Sequence, residues 1–459
     1  MRTRMLERRR LHRLIGGMAA AATALTAVAG MVAAVPAPAT AATRTDVPYL
    51  LFSSAFGTRV KADQAGFSSG PSAYISSGCT HKVPLSKTND VSGVDTGTSG
   101  ITIGAVDSVA RSYRAKMGGL ASTVSRAASD VADVEVGDPS TLQLQIKALH
   151  GVSTAWANKK GFHAGSSLSL GDTALVGSDA SQFQQVSDLL NGPTSQVLTT
   201  LAQNGPIVIP GLAQISLGAA HHRVAKRFAF ANTTALVIDV FQSSSQTKPA
   251  PGDTRITVGR SFARIAKYDY SGIFGGEAYG AQATLLNGVA NVGKNVEMPL
   301  RCEGTAGKVR SEALAALTLP SGNPLALSTV ESDVYGTRGV PKGGATDWTS
   351  SRIAEVDLGG GQLVIKGIYV KTKAWRGADG KLHRRVYRSI GSITANGQTY
   401  AAPAPGQSLT IPSLATITVP KATWTRTGVG ATALRLTVLD NSAGDTVVDL
   451  ANSRVTLKR

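Results

Sequence analysis

Cys79 and Cys302 are the only two cysteines in the chain, 223 positions apart. With no Cys-x-x-Cys pair and no histidine at ligand spacing beside either, neither forms a zinc site by local pattern. Two fates remain open for them, a bridge between the two sulfurs or two separate buried thiols descended from one ancestral unit. His221-His222 is the one adjacent histidine pair. Neighbours on a strand point to opposite faces, so joint metal ligation is not expected there. The run GSSLSLG (165–171) holds serines and glycines without the Gly-x-Ser-x-Gly spacing of a sharply presented nucleophile. NDVSGVD (89–95) and LDNSAGD (439–445) lack the alternating oxygen ligands of a calcium loop and read as turn chemistry. No glycine-rich phosphate loop follows a strand, and no two carboxylates stand out as an acid–base pair for glycoside cleavage. The expectation is a protein with no catalytic residue, no metal ligand and no cofactor.

The elements that would have to position any chemistry are strands. TRITVGRSFARI, LQLQIKAL, QLVIKGIYVKTKAW, TALRLTVLD and TVVDLANSRVTL alternate apolar and polar residues with a period of two, bounded by Gly, Asn, Asp, Ser and Pro. LDNSAGD, between two of them, reads as a hairpin loop.

The chain also repeats itself. IKALHGVSTAW (146–156) returns as IKGIYVKTKAW (365–375), an offset of 219. Ala55-Phe56-Gly57 returns as Ala278-Tyr279-Gly280 and Cys79 as Cys302, both at 223. Val131 to Val134 matches Ile353 to Val356 at 222, and Gly171 and Gly177 match Gly391 and Gly397 at 220. Ile209-Pro210 then matches Ile411-Pro412 at 202, and Ala235-Leu236 matches Ala433-Leu434 at 198. An offset that mostly falls while the order holds is the mark of one unit written twice, the first copy carrying insertions.

The expected architecture is therefore all-β, with two tandem homologous β-sandwich-like domains over residues 42–266 and 274–459, joined by a linker at 267–273. The drop from 220 to 202 places an insertion at about 178–205, where Phe183, Val186, Leu189 and Leu190, then Val197, Leu198 and Leu201, recur at helical spacing around Asn191-Gly192-Pro193. A short helical hairpin is expected there, and it is one place where a partner could dock. Phe56, Trp156, Tyr279 and Trp375 are expected to be repeat-equivalent core aromatics, with an exposed carbohydrate platform as the alternative for the two tryptophans.

Residues 1–41 read as a secretory signal peptide: six arginines lie within Met1 to Arg13, an alanine-rich apolar run follows, and Ala39-Thr40-Ala41 is a small-residue cleavage pattern. Arg8-Arg9-Arg10 leaves open whether the route is general secretory or twin-arginine. No later run reaches the length of a membrane span, so no integral membrane segment is expected after cleavage. The whole chain carries a net charge of +18. Residues 1–41 contribute six Arg and one Glu, so the remainder carries five fewer positive charges, +13. Scattered basic residues with only 5% aromatics do not make a nucleic-acid stripe; outside a cell they favour anionic cell-envelope polymers.

GPSAYISSGCT (70–80), VADVEVGD ahead of a Trp-terminated strand, and IPGLAQISL before the last hairpin resemble the choice-of-anchor P family of secreted actinobacterial proteins, over most of residues 50–265 and 274–457. The resemblance implies a β-rich extracellular protein associated with the cell envelope, by an attachment device that differs among members. The ending SRVTLKR shows none that can be recognised. Together these observations lead to an exported, non-catalytic, structural or adhesive envelope protein, with a glycan-binding or carbohydrate-active protein as the alternative.

Overall fold

Wherever apolar and polar residues alternate in this chain, the apolar set meets a second sheet and the polar set meets solvent, which is what holds each strand in register. In the computed structural model, which describes residues 43–62, 67–68, 71–95, 100–250, 252–268, 272–285, 291–319, 325–339, 344–439 and 446–458, this pattern builds two sandwiches of antiparallel sheets. The segment read as a signal peptide, residues 269–271 of the linker and residues 440–445 of the LDNSAGD loop lie outside the described residues.

The principal strands of the first half are β1 (Thr45–Ala62), β2 (Leu85–Val91), β3 (Val106–Met117), β4 (Leu120–Asp138), β5 (Leu142–Asn158), β6 (Gly161–Ser169), β7 (Phe228–Val240) and β8 (Thr254–Lys267). Those of the second half are β9 (Ile273–Leu285), β10 (Arg310–Leu319), β11 (Leu325–Arg338), β12 (Ala345–Leu358), β13 (Leu363–Arg376), β14 (Leu382–Ser389), β15 (Gly428–Val438) and β16 (Thr446–Lys458). One sheet of the first half runs β2–β3–β4–β5–β6 and the other β7–β8–β1. The second half repeats both orders, as β10–β11–β12–β13–β14 and β15–β16–β9. Each strand has its counterpart eight places on.

The registers agree to the residue. Val106 of β3 lies opposite Val131, which lies opposite Leu149; Val330 lies opposite Ile353, which lies opposite Ile368. Gly57 of β1 and Gly280 of β9 explain the repeated Ala-aromatic-Gly triplet. A Cβ built on either would come within 1.9 Å of Cγ1 of Val106 or Val330, so only glycine lets the two sheets approach there. Buried hydroxyls bridge the sheets at matching positions. Ser261 Oγ donates to Ser153 Oγ at 2.9 Å in the first half, and Ser453 meets Thr372 and Thr349 at 2.7 Å in the second.

Helix among the described residues is confined to the expected insertion: a 3₁₀ turn Ser178–Phe183, then α1 (Gln184–Leu190) and α2 (Thr194–Gln203). The hairpin is part of the first core, since Leu190, Val197 and Leu201 are buried with Leu144, Ile146, Leu175 and Ile209. Thr173 Oγ1 donates to the Leu190 carbonyl at 2.6 Å, and Thr194 Oγ1 to that of Gly171 at 2.6 Å. The hairpin is therefore packed onto the sandwich by its apolar side. Asn191 and Gly192 form the turn between the helices because both helices must present their apolar stripe to the same sandwich.

Cys79 and Cys302 form a disulfide, their Cα atoms 5.5 Å apart. The bond joins two equivalent residues of the two halves. Leu50 and Ile273, equivalent at the same offset of 223, pack in the same buried cluster around Cys302. Beside it Arg264 donates from Nε to Glu303 Oε2 at 3.2 Å, and its guanidinium carbon lies 4.6 Å from the centre of the Phe228 ring.

Candidate cation–aromatic face

On β13 the residues Ile368, Val370, Thr372 and Ala374 point into the sandwich, so the alternation sends Tyr369, Lys371, Lys373 and Trp375 to the outer face. The same logic turns Tyr335 of β11, Trp348 of β12, and His383, Arg385 and Tyr387 of β14 outward. Trp348 stands directly opposite Tyr335 on one flanking strand and Lys373 on the other. Strands about 4.8 Å apart bring such side chains into contact.

The rings stack across the sheet. Tyr335 and Trp348 lie 5.5 Å apart with planes 11° from parallel, and Trp375 and His383 lie 5.2 Å apart at 17°. Three cations are laid against these rings. Lys371 Nζ is 3.6 Å from the centre of Trp348, Lys373 Nζ 5.1 Å from that of Trp375, and the Arg385 guanidinium 4.7 Å from that of Tyr387. Each such contact contributes on the order of 1 kcal/mol at a partly exposed site. Burial holds the Lys371 ammonium below its ordinary value, Lys373 beside it adds to the effect, and Asp333 opposes it.

The ring faces are thus occupied by neighbours. Tyr335 covers Trp348 from the β11 side and Lys371 reaches it from β13; His383 covers Trp375 from β14. A sugar ring stacks on an open aromatic face, whereas this surface presents ring edges and ammonium and guanidinium groups. Ammonium and guanidinium groups gathered on one face carry positive charge that attracts anions.

Trp156 and Trp375, expected in the core, are half-buried on the outer faces of their sheets. The inward positions beside them are the small residues Ala155, Ala157 and Ala374. Of the other two expected core aromatics Phe56 is buried and Tyr279 half-buried. The tryptophans recur because each stacks on a histidine, Trp156 on His163 at 5.3 Å and Trp375 on His383. Around that shared pair the copies diverge. Where the second half has Tyr335, Trp348, Lys371, Lys373, Arg385 and Tyr387, the paired positions of the first half hold Arg111, Arg126, Val152, Thr154, Gly165 and Ser167. The sequence did carry a signal for part of this face, since Tyr369, Lys371, Lys373 and Trp375 share one side of an alternating run. Trp348 and Tyr335 could be added only once the strand pairing was known.

The first half has a different feature on its outer face. Asp90, Asp107 and Asp130 stand directly opposite one another on β2, β3 and β4, and His150 of β5 continues the row. His150 Nδ1 pairs with Asp130 Oδ1. Burial, then Asp130 and Asp90, push the Asp107 carboxyl above its ordinary value. The row lines an open depression with Val91, Val106 and Leu149. Its counterpart in the second half is Ala313, Glu331, Arg352 and Tyr369, where Arg352 Nε donates to Glu331 Oε2 at 3.0 Å. Among the described residues no group of three His, Cys, Asp or Glu is arranged to hold a metal ion. His221 and His222 are exposed on an edge strand, and His222 Nε2 lies 2.8 Å from Ser166 Oγ.

Fold and face together define a tandem β-sandwich with a cation–aromatic surface on its second copy. The chain matches no protein-family model and no curated protein sequence. Among the described residues no helix is long and apolar enough to cross a membrane.

Proposed function

We propose that this chain is an exported, non-catalytic β-domain protein that adheres to anionic polymers of the cell envelope through the outer face of β11–β14. The observation that carries the reading is the divergence of the copies. The first half builds the same five-stranded sheet without Trp348, Lys371, Lys373 or Arg385 at the equivalent positions. The strand order of the sheet is thus compatible with other residues there, and three cations pinned on rings are suited to a row of negative charges. The expected signal peptide, the positive net charge and the resemblance to choice-of-anchor P proteins support export and envelope association as parts of the same proposal.

A neutral glycan platform, the alternative, fits this face less well because Trp348 and Trp375 are already stacked on Tyr335 and His383. The test is cosedimentation of the chain from residue 42 onward with isolated envelopes, and binding to immobilised polyphosphate and polygalacturonate, at low and high salt. Binding at low salt that is lost at high salt is expected. The double change K371E/K373E should weaken it by at least about tenfold, since it replaces two positive charges of the face by two negative ones against a polyanion. Absence of binding at both salt concentrations, or equal binding by the double variant, overturns the proposal.

A further inference from the structure

Beside the disulfide, four guanidinium groups from both halves gather around one carboxylate. Arg223 lies on the edge strand Ala220–Ala225, directly opposite Phe230 of β7, and Phe230 lies opposite Arg264 of β8. Residues directly opposite one another share a face of the sheet. The guanidinium carbons of Arg223 and Arg264 accordingly both approach the Phe228 ring, at 5.5 and 4.6 Å from its centre. The second half contributes Glu303, which pairs with Arg264, and with it Arg301 on the other side of Cys302 and Arg310 at the start of β10. These charges act on one another. Burial lowers the Arg264 guanidinium below its ordinary value; Glu303 opposes this, and Arg301 and Arg223 add to it. Burial lowers Arg310 as well, with Arg301 adding to the effect and Glu303 opposing it.

We propose that this cluster binds a phosphoryl group carrying two or more negative charges. Arg264 is buried and committed to Glu303, whereas Arg223 and Arg301 are exposed and, among the described residues, have no ion pair. Four guanidiniums and one carboxylate leave three positive charges unbalanced. Like charges held this close repel, and a multiply charged oxyanion settling among them turns that repulsion into attraction. A planar guanidinium meets phosphate oxygens through paired N–H donors, which a single carboxylate ligand would leave largely unused. Across the repeat, the residues equivalent to Arg223, Arg264, Arg301 and Glu303 are Thr425, Thr456, Gly78 and Thr80, so the cluster is not repeated at the equivalent positions. It shares no residue with the outer face of β11–β14, and neither proposal rests on the other.

Calorimetric titration of the chain from residue 42 onward with inorganic pyrophosphate tests the site. Binding is expected, and R223T/R301G, which installs the counterpart residues at two exposed positions, should weaken it at least about tenfold with an unchanged circular dichroism spectrum. K371E/K373E should bind pyrophosphate as the parent does, which separates this site from the polymer-binding face. E303Q keeps an acceptor for Arg264 and removes the competing negative charge, so it should bind more tightly, a change that mere loss of a structural contact would not produce. Absence of pyrophosphate binding, equal binding by R223T/R301G, loss of binding in K371E/K373E, or weaker binding by a folded E303Q overturns the proposal. Vesicles containing phosphatidic acid distinguish the source of the group. Cosedimentation with them that R223T/R301G loses assigns it to a lipid headgroup, and pyrophosphate binding without cosedimentation assigns it to a soluble phosphate; both results uphold the site.

Discussion

Asp347 shows how much one residue can differ between two copies of a fold. It points into the second sandwich at 0% exposure, and neither carboxyl oxygen has a hydrogen-bond partner of good geometry among the described residues. Its counterpart on β4 is Ser125, also buried, whose hydroxyl donates to the Phe52 carbonyl at 2.8 Å. Burial pushes the Asp347 carboxyl well above its ordinary value, with the backbone N–H groups of Asp347 and Ala374 only partly opposing. A carboxyl whose folded pKa is raised contributes fully below its unfolded value of about 3.9. That stability is lost as pH rises through the folded value. D347S, which restores the first-copy residue, should therefore stabilise the chain by about 1–3 kcal/mol at neutral pH and flatten the decline of stability from acid to neutral. Denaturant titrations at several pH values measure both effects; a destabilised D347S would mean the carboxylate is satisfied after all. No feature of the sequence exposed this residue, because Ala-Thr-Asp-Trp-Thr alternates and an aspartate in an alternating run is ordinarily on the wet side.

At the scale of elements, periodicity and repeat offsets identified the strands and located the insertion. They did not say which side of a strand would meet the second sheet. IKGIYVKTKAW alternates perfectly well with its tryptophan inside or outside, and only Val370 and Ala374 against a neighbouring sheet decide it. The acidic row of Asp90, Asp107 and Asp130 was illegible for a related reason, since its members come together through cross-strand pairing over 40 residues of chain. The helical hairpin was legible as helix, but its role follows from contacts. Leu190 is fully buried at the end of α1, so L190A should cost about 2–5 kcal/mol, seen as a lowered unfolding midpoint. A cost under 1 kcal/mol would return α1 and α2 to the status of an appended surface device.

At the scale of the whole molecule the duplicated plan was readable from order alone, whereas the joining of its halves was not: two cysteines, one per copy, were equally compatible with a bridge and with two thiols. Closing a loop of 223 residues should stabilise the folded chain by about 5 kcal/mol on chain-entropy grounds. C79S/C302S, or reductant added to the native protein, should lower the guanidinium midpoint accordingly, and an unmoved midpoint would show that Arg264, Glu303 and the Leu50–Ile273 contact already hold the halves. The bond also has a meaning in time. Cys79 is synthesised long before its mate, and since each copy owns a single sulfur it can find no legitimate partner within its own sandwich. A nascent or truncated chain ending before Cys302 therefore carries an unpaired thiol, and the finished one carries none. The bridge can close only after both copies have supplied their cysteine, so its presence reports that the two copies have met.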